Sequence, residues 1–135
     1  MKHYKNAALF YTIAATAGGI FYREFTRFNS FTAPTALAKL HTHYFMLGMF
    51  FFLILLLLEK VFAFSDKRTK RLTTVYHIGL NLTCVMLAVR GVVQVLGTEL
   101  SKAADASISG IAGIGHLLLG FSLFLIVLQA CKKAV

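Results

Sequence analysis

An all-α, four-helix transmembrane bundle with antiparallel neighbours is the fold this sequence predicts, and three observations predict it. Apolar residues make up 58% of the 135 positions, above the roughly 45–50% of soluble domains, and the mean hydropathy is +0.73. The excess is gathered into four runs, each near the ~20 residues that cross a bilayer as a helix. The connections between runs are short, which makes neighbouring helices antiparallel. They leave no room for a second domain, so residues 1–135 read as a single integral membrane domain. Thirteen Phe and a single Pro suit long, lipid-facing helices.

The first helix is expected from about Lys5 to Phe25. Its start imitates a secretory signal, with Lys2, Lys5, a short apolar run and Ala15-Thr16-Ala17. Tyr11 and Thr12 are poor residues for a signal's apolar core, so a retained span is the expectation. The second helix starts near Pro34, a good first-turn residue, with Thr32 as its cap. It continues through FMLGMFFFLILLLL to about Val61. The third runs from about Leu72 to Leu96 and the fourth from about Ala106 to Ala130.

Charge sets the expected orientation. The connection between helices two and three carries Lys60, Lys67, Arg68, Lys70 and Arg71. Lys2 and Lys5 at one terminus and Lys132 and Lys133 at the other fall on the same side. Only Arg23, Arg27, Lys39 and Lys102 fall on the opposite side. The richer side is read as cytoplasmic, giving a multi-pass protein of the cell membrane with both termini inside. The net charge of +9 is thereby assigned to helix ends, and no basic face remains for nucleic acid. Cys84 and Cys131 form no CxxC pair and imply no disulfide framework. The absence of a nucleophile–base pair, a carboxylate pair and a phosphate loop argues against hydrolytic or phosphoryl chemistry.

Ionisable side chains inside hydrocarbon are costly and mark function when they occur. His41, His43, His77 and His116 lie in the apolar runs, and imidazole is a frequent metal and haem ligand. At about 1.5 Å rise per residue, His41, His43, His116 and Arg90 share the outer half of the membrane, and His77 lies near the inner end. At about 100° per residue, His41 and His43 point roughly 200° apart. His41 and His116 are the pair expected to face one another. Ser109, Gly113, His116 and Gly120 form one stripe, which either lets a helix approach closely or makes room beside His116 for a flat macrocycle. Ala8, Thr12, Ala15 and Gly19 form a similar packing stripe on helix one. Arg90 needs an anion, and Glu24 or a haem propionate is the expected partner. His77 is expected to stay wet near the basic interface, with a small second polar site as the alternative because Asn81 and Cys84 share its face. Met46, Met49 and Met86 read as packing, and Tyr22, Tyr44 and Tyr76 as interfacial anchors.

The stretches FYREFTRFNSFT, LHTHYFMLGMFFF, YHIGLNLT and ISGIAGIGHLLLG together resemble a bacterial membrane family known as domain of unknown function 2871. That resemblance covers nearly the whole chain and implies no activity. More locally, HTHYFMLG looks like the histidine motifs of haem–copper oxidase and nitric-oxide reductase core subunits, where a His-x-His pair followed by glycine lies on a haem-bearing helix. This chain departs from them in having four spans instead of many and no cluster of copper ligands. Oxygen or nitric-oxide reduction by this chain alone is therefore not expected.

Three functions compete. The first is a haem b protein with His41 and His116 as ligands, Arg90 near the propionates and His43 beside them. Two axial histidines favour electron transfer, whereas one leaves a position for a gas. The second is a copper or zinc site built from His41, His43 and His116. The third is a non-enzymatic transport or assembly subunit. The partners expected are the lipid bilayer and either a second copy or a membrane redox partner. Against each ligand role stands a plain alternative, a helix–helix hydrogen bond or a solvated imidazole.

Overall fold

The structure, a computed structural model, describes residues 1–134; Val135, the last residue of the expected single domain, lies outside the described residues. The described chain is all-α: four long helices with no strand among those residues. α1 is Lys2–Phe28, α2 is Ala36–Phe62, α3 is Lys67–Leu96 and α4 is Lys102–Ala134. All but α2 extend beyond the expected spans at their polar ends, and at the starts of α3 and α4 side-chain caps hold turns that hydropathy alone assigns to loops.

The start of α3 shows how. Lys67, Arg68, Lys70 and Arg71 sit in its first turns, where the helix dipole disfavours cations. Asp66 outweighs them: its Oδ1 accepts from the Thr69 N–H at 2.7 Å and from the Thr69 hydroxyl at 3.0 Å. Its Oδ2 accepts from Gln129 Nε2 of α4 at 3.0 Å. The bonds from Thr69 hold the Asp66 carboxyl below its usual range. A depressed carboxyl stabilises the fold above its unfolded value of about 4, and that contribution is lost as pH falls through the lower folded value. Asp66→Asn should therefore lower the melting temperature by roughly a few degrees at neutral pH. In circular-dichroism melts the gap from the parent should close in acid; a gap that is independent of pH would contradict this.

α2 begins later than Pro34, and its cap is Thr35 instead of Thr32. The Thr35 hydroxyl accepts from the Leu37 N–H at 3.3 Å and donates to the Gly91 carbonyl of α3 at 3.2 Å. The Ala36 N–H donates to Gln94 Oε1 at 2.7 Å. The start of α2 is thus fixed by α3, which a local reading of Pro34 does not reveal. α2 also changes winding. Ala36–Lys39 is 3₁₀, Leu40–His43 is α, Tyr44–Phe50 is π and Phe51–Phe62 is α. π turns are rare and collect at functional sites. Within this one the Leu47 carbonyl accepts from the Tyr76 hydroxyl of α3 at 2.7 Å. Gly48 lets α1 lie close, since a Cβ there would fall 2.5 Å from Tyr11 Cγ.

Cross-contacts confirm that neighbours are antiparallel. Tyr4 at the start of α1 bonds Ser65 between α2 and α3, and Gln129 near the end of α4 bonds Asp66. This is the basic end. At the opposite end, Thr35 and Ala36 bond Gly91 and Gln94, and Arg90 bonds Asp105. α1 packs on α2, and α3 packs on α4 along their lengths, while the contact of α2 with α4 runs through Phe51–Phe62. The α3–α4 crossing is close because Gly79 and Gly115 face one another. A Cβ on Gly79 would lie 2.6 Å from Leu119 N, and one on Gly115 would lie 2.9 Å from Thr83 N. The core is aromatic, with Tyr11, Phe52, Phe64 and Tyr76 essentially inaccessible.

α2, α3 and α4 are each long and apolar enough to cross a membrane. α1 is comparable in length but does not belong to that group, since Lys2, Lys5, Asn6, Arg23 and Arg27 dilute its hydropathy. Large apolar side chains coat the exterior, among them Ile13, Leu57, Leu117, Phe121 and Phe124.

Candidate functional site

The histidines of α2 part company as their phase requires, but His43, not His41, is the one that faces α4. His41 turns toward α1. Gly18 and Gly19 admit it: a Cβ on Gly19 would touch the His41 side chain at 3.6 Å. Its ring lies nearly parallel to that of Tyr22, with centroids 6.5 Å apart and planes at 11°. Its Nδ1 is buried and has no hydrogen-bond partner among the described residues. The expected pairing of His41 with His116 is thus corrected. His43 is the residue that faces His116, with ring centroids 6.3 Å apart and planes at 87°.

His43 and His116 are built alike. His43 Nδ1 lies 2.8 Å from the Lys39 carbonyl, and His116 Nδ1 lies 2.8 Å from the Ala112 carbonyl, each one turn back on its own helix. A carbonyl oxygen only accepts, so both Nδ1 atoms carry hydrogen and donate. In the neutral rings Nε2 is therefore the free lone pair, the same division of labour that metal-bound imidazoles use. His43 is half-buried and His116 exposed on the outside of the bundle. Gly113 and Gly120, a turn to either side of His116, face open space, since a Cβ at either would meet nothing within 4 Å. The Gly113–His116–Gly120 stripe is therefore not the α3 contact; Gly115, on another face, is. The three-histidine arrangement of His41, His43 and His116 is not assembled. Among the described residues no group of three His, Cys, Asp or Glu side chains converges to hold a metal.

Arg90 is also corrected. Its partner is Asp105, not Glu24. Nη1 donates to Asp105 Oδ1, and Nη2 donates to the Asp105 carbonyl at 3.3 Å and to Ser109 Oγ at 2.8 Å. Glu24 lies instead by Arg23, at 3.6 Å on the surface. Hydropathy hid Asp105, because it falls in the polar turn before the apolar run of α4 begins.

His77 is the polar residue that sequence reasoning underrated. It is half-buried at the centre of a network joining three helices. Its Nδ1 lies 2.6 Å from the Tyr11 hydroxyl of α1, and its ring stacks on Phe52 of α2 with centroids 4.7 Å apart. Asn81 Nδ2 donates to Tyr11 Oη at 3.0 Å and to the His77 carbonyl at 2.8 Å. The Tyr44 hydroxyl donates to Asn81 Oδ1 at 3.2 Å. Tyr44, expected as an interfacial anchor, is thus built into this network, and Tyr76, expected likewise, is buried with its hydroxyl on the Leu47 carbonyl. The available signal was the four-residue spacing of His77 and Asn81, together with a tyrosine in the apolar run of each neighbouring helix.

A family model described as a protein of unknown function, DUF2871, matches residues 1–134, and the chain belongs to that family. No curated protein and no solved structure matches the chain. The local likeness to haem–copper oxidases rests on HTHYFMLG alone.

Proposed function

For this member of the DUF2871 family, we propose a multi-pass membrane protein that binds b-type haem between α2 and α4, with His43 and His116 as the axial ligands. The observation that carries the reading is the matched geometry of the two imidazoles. Two rings ligating one ion through Nε2, at about 2.0–2.1 Å each, place their centres about 6 Å apart. The rings of His43 and His116 are separated by 6.3 Å. Each donates its other nitrogen to a backbone carbonyl, which fixes ring orientation and strengthens the free nitrogen as a ligand. Gly113 and Gly120 leave the flanks of His116 clear for a flat apolar group. Bound haem would supply one-electron redox chemistry. The protein would hold it with two imidazoles and seat it against apolar surface. Arg90, already neutralised by Asp105, would reach a propionate only by sharing that partner, so the proposal does not depend on it.

Absorption spectra test this proposal directly. Protein expressed with ample haem and purified in detergent should be red, with a Soret band and one haem per chain. A colourless protein that retains copper or zinc would move the site to a two-histidine metal centre. A colourless protein with no metal would leave the partner-binding reading.

Membrane placement is part of the same proposal. It draws on the three apolar helices and the exposed Phe and Leu exterior, with α1 as a fourth span and the basic end cytoplasmic. In a background lacking Cys84 and Cys131, a cysteine placed in the 97–101 connection should label from outside intact cells. One placed at Lys67 should not. The reverse labelling would overturn the orientation.

A further inference from the structure

From the arrangement of His77, His3 and Tyr11 we infer a proton-exchange site inside the bundle, open to the basic end and closed to the opposite end. A cavity of about 440 Å³ at the basic end is lined by His3, Tyr4, Glu59, Ser65, Lys70 and Thr74. Glu59, Ser65, Lys70 and Thr74 give it polar partners for water, and it is roomy enough to hold it. The exposed His3 ring forms one wall and lies against two rings, Tyr4 at 5.6 Å and His77, edge-on, at 5.5 Å between centroids. Behind His77 lies Tyr11, whose hydroxyl sits on Nδ1 at 2.6 Å.

The order of groups gives a one-sided connection. Water in the cavity reaches His3, His3 adjoins His77, and His77 bonds Tyr11. Beyond Tyr11 the next polar group is the Asn81 carboxamide, which already spends its hydrogens on Tyr11 and on the His77 carbonyl. A carboxamide does not readily exchange a proton with its neighbours, so the connection stops there. Phe52 stacks on one side of His77 and excludes water from that face.

The chemistry is a proton transfer with no electron movement. A proton from cavity water binds His3 and passes to His77 Nε2. The ring becomes an imidazolium, and its Nδ1–H donates to the Tyr11 oxygen. Release runs the same steps backwards. An imidazole suits this role because its two nitrogens lie on different edges, so one can take up a proton while the other holds its hydrogen bond. The titratable groups around it are His3 and Tyr11 from α1 and, through Asn81, Tyr44 from α2. Tyr76 and Cys84 lie on its own helix, with Glu59 and Lys70 in the cavity. Among the described residues, no group of α4 enters its hydrogen bonds or ring contacts.

Side-resolved titration tests the site. Protein carrying ¹⁵N-histidine is placed in vesicles with one predominant orientation, and the pH is stepped on one side at a time. The His77 resonance is assigned by its loss in His77→Gln. It should follow the pH at the basic end and ignore the other side within the same interval. His3→Leu alters an exposed residue, so the fold should survive, and exchange at His77 should slow at least tenfold. Three results would each overturn the inference: an equal response from both sides, an unchanged rate in His3→Leu, or no titration of His77 between about pH 4 and pH 9.

A second readout rests on the haem proposal. With haem bound, its midpoint potential should fall as pH rises, by up to about 59 mV per tenfold change in proton activity. His77→Gln should flatten that slope. A red protein with a flat slope in the parent would count against His77 alone. A colourless protein would count against haem alone and would leave the resonance measurement decisive.

Discussion

Alanine at His116 or at His43 should each remove the low-spin, two-imidazole signature of bound haem, whereas alanine at His41 should leave it in place. The contrast is sharp because all three histidines lie in the same half of the bundle and only two of them face each other. His43 and His116 would hold the proposed haem together, so loss of either would shift the Soret band and lower haem occupancy. The His41 ring lies against Gly19 and Tyr22 of α1, so its removal opens a small gap at that contact without reaching the haem ligands. Gly113→Leu adds a further arm. It places a side chain in open space, so helicity and melting should be unchanged while haem occupancy falls. If His41→Ala bleaches the protein and His43→Ala does not, the assignment of the pair is wrong. If all four variants keep the parent spectrum, haem lies elsewhere.

Gly115→Val should be among the most damaging single changes to the fold. The α3–α4 crossing brings backbone to backbone: a Cβ at Gly115 would sit 2.8 Å from Thr83 Oγ1 and 2.9 Å from Thr83 N, and one at Gly79 would sit 2.6 Å from Leu119 N. The Thr83 and Leu119 nitrogens are main chain and cannot swing aside, so the helices must separate. Overpacking of this kind costs about 1–3 kcal/mol or more, a large share of the roughly 5–15 kcal/mol that holds a domain together. Gly79→Val should behave alike. Gly110→Val, where nothing lies within 4 Å, should change stability by no more than about 0.5 kcal/mol. Detergent-resistance or thermal-aggregation assays would rank the three. Equal tolerance at positions 110 and 115 would mean that the helices cross elsewhere.

The sequence by itself determined the count of the helices, their apolar stretches and the end to which charge gathers, but not their full lengths. Hydropathy acts through total apolar area and run length, which are properties of consecutive residues. It also determined that His41 and His43 cannot serve one point, since helical phase follows from spacing alone. What only the tertiary structure decided is which helix lies on each face of α2. Gly18 and Gly19 admit α1 against His41, and the Gly79–Gly115 contact draws α4 onto α3, leaving His116 turned outward toward His43. Phase gives the angle between two side chains but not the identity of the neighbour each will meet. That identity depends on backbone approach distances set by glycines on other helices. The same holds for the polar contacts. Asp105 lay outside every apolar run, yet it neutralises Arg90 because the short 97–101 connection folds it back over α3. His77 looked wettable from its position near the basic end. Its burial comes from Phe52 and Tyr11, residues that are distant in sequence and adjacent only once α1 packs into the groove beside Gly48.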